Sequence, residues 1–138
     1  MNKRNEMEIN HSVQGRIGTS CQTTITAGRN KIISDEPIAL GGKEEGFNPF
    51  ELLASSLAAC TCATLRMYAD RKQWPLTGVE TEVSITRSDS TTTTIFNRHI
   101  KLSGDLDETQ KSRILAIANA CPVHKILSGT VEIQTKMD

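Results

Sequence analysis

The feature that most constrains this chain is a stretch of about 24 residues, Pro49 to Lys72, built from apolar and small side chains and bracketed by helix punctuation. Asn48 is a good N-cap, Pro49 suits the first helical position, and Glu51 stands at N3, where it can close a capping box. Leu52, Leu53, Leu57, Cys60, Cys62, Leu65 and Met67, with the alanines between them, cover nearly the whole circumference. Such a helix is expected to be buried on most sides. It should end near Lys72, because Pro75 cannot continue it. At 1.5 Å per residue it is about 36 Å long. That is long for a chain of 138 residues, and a partner subunit is one way to cover it.

The rest of the chain reads as one domain with this helix, spanning residues 1–138 with a polar tail over about residues 1–10. Residues 8–47 read as β structure: Ser20 to Thr26 alternates, Gly28-Arg29-Asn30 turns, and Lys31 to Ser34 returns. A flexible loop, Gly41 to Gly46, leads into the helix. Residues 77–103 read as a hairpin that turns at Ser88-Asp89-Ser90. Asp107 and Gln110 form a second capping-box pattern, opening a helix with Ile114, Leu115 and Ile117. Cys121-Pro122 interrupts it, a short helix follows from Pro122 to Leu127, and Val131 to Lys136 alternates as a last strand.

Composition narrows the function classes. Sixteen basic residues balance sixteen acidic ones, without the basic stripe that a nucleic-acid partner requires. No uninterrupted apolar run approaches the roughly 20 residues of a membrane span. The N-terminus has no apolar h-region, so the expected location is the cytoplasm, where thiols stay reduced. No cofactor and no metal are expected. The four cysteines are Cys21, Cys60, Cys62 and Cys121. In that compartment they are better read as catalytic, metal-binding or buried than as a disulfide framework.

Cys121 precedes Pro122, so it is the N-cap of the short helix, where free N–H groups and the dipole stabilise a thiolate. His124, three residues on, can add positive charge or a donor. The alternative is a half-buried cysteine that simply ends a helix. Cys60 lies mid-helix among alanines, where a buried structural cysteine is the plainer reading. Cys62 is turned about 200° from it, and Cys21 sits in a polar strand with nothing local to activate it. Cys60, Cys62, Cys121 and His124 also have the composition of a Cys₃His zinc site, although a C-x-C pair in one helix points to different faces.

Asn48 to Thr61 resembles the central-helix signature of the OsmC/Ohr family, and Ala118 to Lys125 resembles its second-cysteine signature. Asp35-Glu36-Pro37, the Gly41-Gly42 loop and Gly104-Asp105-Leu106 are similar to residues at matching places. The resemblance implies an α+β fold of antiparallel sheets, in which two chains intertwine as a homodimer with two long central helices. It also implies a thiol peroxidase of oxidative-stress defence. Cys60 attacks an organic hydroperoxide and becomes a sulfenic acid, Cys121 resolves it as a disulfide, and a lipoyl-type or dithiol reductant restores both. Phe50, Leu53 and Leu57 are the implied substrate contacts.

In the Ohr branch an arginine in a Gly-Arg turn activates the thiolate, held by a glutamate on the central helix. Thr26-Ala27-Gly28-Arg29 resembles that turn and makes Arg29 the candidate, with a solvated turn arginine as the alternative. The glutamate position is Phe50 here, and Glu51 is one residue later, about 100° round the helix. Glu51 is therefore either catalytic or a helix cap alone. Glu51 and Cys60 lie about 13.5 Å apart along the axis, so an Arg29–Glu51 pair acting on Cys60 must come from the other subunit. Phe50 also leaves open a family member that binds a small apolar ligand with little peroxidase activity.

Overall fold

The computed structural model describes residues 11–138, and the tail expected over residues 1–10 lies outside the described residues. The chain falls into two compact units, one ending at Glu51 and the other running from Leu52 to Asp138.

The first unit is an antiparallel sheet of β1 (Gln14–Ile17), β2 (Thr23–Ala27) and β3 (Asn30–Ser34), in that order. Gly28 takes a φ of 61° in the β2–β3 turn, a left-handed conformation that glycine adopts without strain. The loop after β3 is wound around the Asp35 carboxylate, which is 2% exposed. Asp35 accepts hydrogen bonds from the N–H groups of Glu36 (2.8 Å), Lys43 (3.3 Å) and Glu45 (3.2 Å), and from the Gln22 amide (3.2 Å). Only glycine fits at position 42, since a Cβ there would stand 1.9 Å from the Glu36 carbonyl oxygen.

Burial pushes the Asp35 carboxyl up, but the N–H groups of Glu36 and Glu45, the Gln22 amide and the N–H of Lys43 outweigh it and hold it below the usual value. A depressed carboxyl stabilises the fold above its unfolded pKa, and that stability is lost as pH falls through the folded one. Asp35→Asn is therefore expected to lower the melting temperature at neutral pH. The difference from the parent should shrink as pH drops below about 4, the ordinary value for Asp. Thermal melts across that range check it, and a pH-independent difference would contradict it.

The expected capping box is present. The Glu51 N–H donates to Asn48 Oδ1 at 2.8 Å, and the Asn48 N–H donates to Glu51 Oε1 at 2.9 Å. From it α1 runs Pro49–Lys72. The helix stops where Gln73 adopts a φ of 56° and the Trp74 N–H reaches back to the Ala69 carbonyl at 2.9 Å, the left-handed ending common to helix C-termini.

In the second unit α1 is followed by β4 (Leu76–Arg87), β5 (Thr94–Gly104), α2 (Glu108–Ile117) and α3 (Pro122–Leu127). β4 and β5 pair antiparallel from Val79↔Leu102 to Arg87↔Thr94. On β4, Val79, Thr81, Val83 and Ile85 are on the covered face while Glu80, Glu82 and Ser84 point out, the period-2 pattern of a half-covered sheet. α2 opens on the Asp107–Gln110 capping box and passes through a 3-10 turn, Ala118–Ala120, to Cys121.

The core joins Leu65, Tyr68 and Ala69 of α1 to Leu76, Leu106, Ile114 and Ala118. α1 is thus not buried on most sides within one chain. Its buried residues, Leu57, Thr61, Leu65, Tyr68 and Ala69, form one stripe at helical spacing. A single hairpin and α2 cover only one side, and Phe50 and Met67 stay exposed. Among the described residues α1 is also the one helix long and apolar enough to cross a membrane by length and composition. The sequence shows no unbroken apolar run there because Ser55, Ser56, Thr61 and Thr64 interrupt it. Its stripe packs into the core, as a core helix does.

One expected element is corrected: Val131 to Lys136 forms no strand. Alternation sets which side chains share a face, but a strand exists only when its backbone finds an edge to pair with. This segment has none among the described residues, and Ile133 is 84% exposed.

Candidate active site

The stripe on α1 that builds the core also aims Cys60 at Cys121. Pro122 occupies the first position of α3 and Cys121 its N-cap, which brings the Cys121 thiol against the central helix. The two thiols stand close enough to shift each other's proton affinity, and both are free. Cys60 is half-buried, while Cys121 is 0% exposed.

The two sulfurs stand in unequal surroundings. Burial pushes the Cys60 thiol up, and its contact with Cys121 adds to this, against the Val123 N–H and the Thr64 hydroxyl, 4.0 Å away. Burial also opposes a charge on Cys121. There it is outweighed by the Cys60 thiol, the N–H groups of His124 and Val123, and the Thr61 hydroxyl, so Cys121 lies below the ordinary thiol value. Cys121 closes no capping hydrogen bond of standard geometry, yet those two N–H groups face its sulfur. Of the two, Cys121 is thus the sulfur that gives up its proton more readily.

Two residues that the sequence reading missed complete the site. Thr61 is fully buried and donates to the Leu57 carbonyl at 2.7 Å. The Arg98 guanidinium, from β5, donates to Thr61 Oγ1 at 3.1 Å and to Asn119 Oδ1 at 3.3 Å, and meets His124 Nδ1 at 3.1 Å. The signal for Arg98 is in its strand: it takes the inward position between Phe96 and Ile100, where a cation needs a reason. The His124 ring therefore does not bring charge to the thiol. Arginine only donates, so Nδ1 must accept and the imidazole is neutral in this contact. What His124 gives Cys121 is its backbone N–H.

The Cys62 sulfur faces away, donating to Thr81 Oγ1 of β4 at 3.3 Å. Cys60, Cys62, Cys121 and His124 therefore do not converge as a zinc site would require. Beside Arg98 and His124 opens a cavity of about 270 Å³, lined otherwise by Leu57, Thr94, Phe96, Leu127 and Ser128. Of the expected substrate contacts, Leu57 lines it, while Phe50 is 70% and Leu53 42% exposed. Arg29 is exposed in the β2–β3 turn of the first unit, and Glu51 serves the capping box there.

The chain has known relatives. The OsmC-like protein family matches residues 41–136. The chain belongs to the OsmC-like family. It is 29% identical over 100 residues to a hydroperoxide reductase of Mycoplasma pneumoniae, covering 68% of this chain and 71% of that one. Among solved structures, the OsmC-like protein from Mycoplasma pneumoniae superposes with a TM-score of 0.77 at 25% identity, covering 89% of this chain and 90% of that chain. The organic hydroperoxide resistance protein OhrB of Bacillus subtilis gives 0.61 at 24% identity, covering 90% and 94%. The second likeness is one of fold. Against the OsmC-like family, the α+β reading with antiparallel sheets and a long helix holds.

Proposed function

We propose that this OsmC-like protein is a thiol peroxidase that reduces organic hydroperoxides, with Cys60 peroxidatic and Cys121 resolving. The observation that carries the reading is the placement of the two sulfurs: Cys60 on α1 is half-buried and open to a substrate, while Cys121, at the start of α3, is fully buried beside it. The hydroperoxide reductase name of the Mycoplasma pneumoniae relative supports the same class.

The Cys60 thiol gives its proton to water, and the thiolate attacks the outer peroxide oxygen as the O–O bond breaks. The departing alkoxide takes a proton from water and leaves as alcohol. Cys60 is then a sulfenic acid. Cys121 attacks the Cys60 sulfur, the S–O bond breaks, and hydroxide leaves. A dithiol or lipoyl-type reductant reopens the disulfide by exchange.

The partner we propose is a second copy of this chain. Its helix would cover the sides of α1 that one chain leaves open, where Phe50, Leu53 and Met67 stand at 70%, 42% and 58% exposure. In that dimer Arg29 and Glu51 of the partner would support Cys60. Arg29→Ala is expected to slow peroxide reduction while the protein stays folded. Glu51→Gln keeps the capping box but loses the charge, so near-parental turnover in it assigns Glu51 to capping alone.

A second reading has an observation of its own. The cavity beside Arg98 is mostly apolar, and Phe50 replaces the glutamate of the Ohr branch, as in a protein that binds a small apolar ligand. Turnover of an organic hydroperoxide with a dithiol reductant separates the two. Activity that Cys60→Ser abolishes supports the peroxidase, and none in the parent supports the binder.

A further inference from the structure

We propose that the cavity beside Arg98 is a binding site for a small apolar monocarboxylate, its hydrocarbon on Leu57, Phe96 and Leu127 and its carboxylate on Arg98 and the His124 ring. The charge in its wall selects the ligand. The half-buried Arg98 guanidinium has three partners among the described residues: the Thr61 hydroxyl at 3.1 Å, Asn119 Oδ1 at 3.3 Å and His124 Nδ1 at 3.1 Å. None of them carries a negative charge, and no Asp or Glu among the described residues lines the cavity. A guanidinium has five N–H donors, so Arg98 keeps donors to give after these contacts. A cation held partly out of water is costly until an anion meets it.

The His124 ring adds to the same demand. Because Nδ1 accepts from Arg98, the proton of the neutral imidazole sits on Nε2. Among the described residues Nε2 has no acceptor. The Ser128 hydroxyl, in the same wall, has already given its proton to the His124 carbonyl at 2.7 Å. The two nitrogen-bearing side chains of the cavity thus offer donors alone, which a carboxylate meets with its two oxygens. Leu57, Phe96 and Leu127 supply the apolar wall, as in ligand sites where a few polar groups orient an apolar body. Volume sets the size of that body. At about 30 Å³ for a group the size of a water molecule, a cavity of about 270 Å³ holds on the order of nine non-hydrogen atoms. That is a carboxylate on a chain of roughly five or six carbons.

Such a site exists whether or not the thiol pair turns over peroxide, so its test uses none. Hexanoate is titrated into the reduced protein by calorimetry, alongside acetate, hexanol and hexylammonium. Hexanoate is expected to bind at least about tenfold more tightly than hexanol, the scale of one hydrogen bond to a charged group. Acetate, which lacks the tail, should fall behind by at least about the same factor, and hexylammonium should not bind. Arg98→Gln is expected to weaken hexanoate about tenfold while hexanol binds as in the parent. Arg98 also ties β5 to α1 and α3, so a second variant leaves those contacts in place. Leu127→Trp fills the cavity from α3 and should abolish binding of both hexanoate and hexanol. Parental hexanoate affinity in either variant overturns the proposal. So does hexanoate binding no better than hexanol or acetate, or not at all. Peroxide turnover without hexanoate binding would leave the peroxidase reading in place and remove this site.

Discussion

One equivalent of an organic hydroperoxide, added to the reduced protein, is expected to consume two thiols and leave a single Cys60–Cys121 disulfide. The two thiols are neighbours in the fold, so a disulfide can close between them. Cys60→Ser should reduce peroxide consumption to the uncatalysed level, because Cys121 is fully buried and cannot meet the substrate. Cys121→Ser should keep the first attack but let Cys60 pass from sulfenic to sulfinic acid, since nothing captures the intermediate. Cys62→Ser should behave as the parent, its thiol being turned to Thr81. Thiol counting and peptide mass spectrometry read all of these. A disulfide found at Cys62, or full activity in Cys60→Ser, would reassign the nucleophile.

The largest stability effect is expected at Ile114. It is fully buried and joins α2 to Leu65, Tyr68 and Ala69 of α1. Ile114→Ala removes three carbons from a packed site and leaves a cavity, a change that costs about 2–5 kcal/mol. Against a total stability of roughly 5–15 kcal/mol, that is a large share. The denaturant midpoint should fall with the slope unchanged. A loss under about 1 kcal/mol would mean that the site collapses to fill the gap. α2 leads through the Ala118–Ala120 turn to Cys121, so this variant should also slow disulfide closure.

The parts legible in the sequence are those governed by neighbours a few residues apart. The Asn48–Glu51 and Asp107–Gln110 capping boxes, the stop before Pro75 and the Cys121-Pro122 helix start each follow from local hydrogen bonding, and each is present. Arg98 and Thr61 were missed because their roles depend on a contact spanning 37 residues. Threonine mid-helix and arginine in a strand look ordinary until the hairpin lays one against the other. His124 shows the same limit. Its spacing from Cys121 says that it is close, but only the tertiary contact with Arg98 says where the ring goes. The strand expected at Val131 to Lys136 failed for a related reason, since alternation cannot supply a partner edge.

The stripe formed by Thr61, Leu65, Tyr68 and Ala69 acts as an angular reference for the two cysteines beside it. Those side chains fix the rotation of α1 about its axis, and with it the fact that position 60 meets α3 while position 62 meets β4. Inserting one residue between Cys62 and Leu65 would turn both thiols by about 100° and part the sulfur pair. Inserting four would bring the angle back to within about 40° but slide Cys60 by about 6 Å along the axis, past the Val123 N–H. Neither angle nor height can then be kept together, so this segment is closed to length change even where individual side chains can vary.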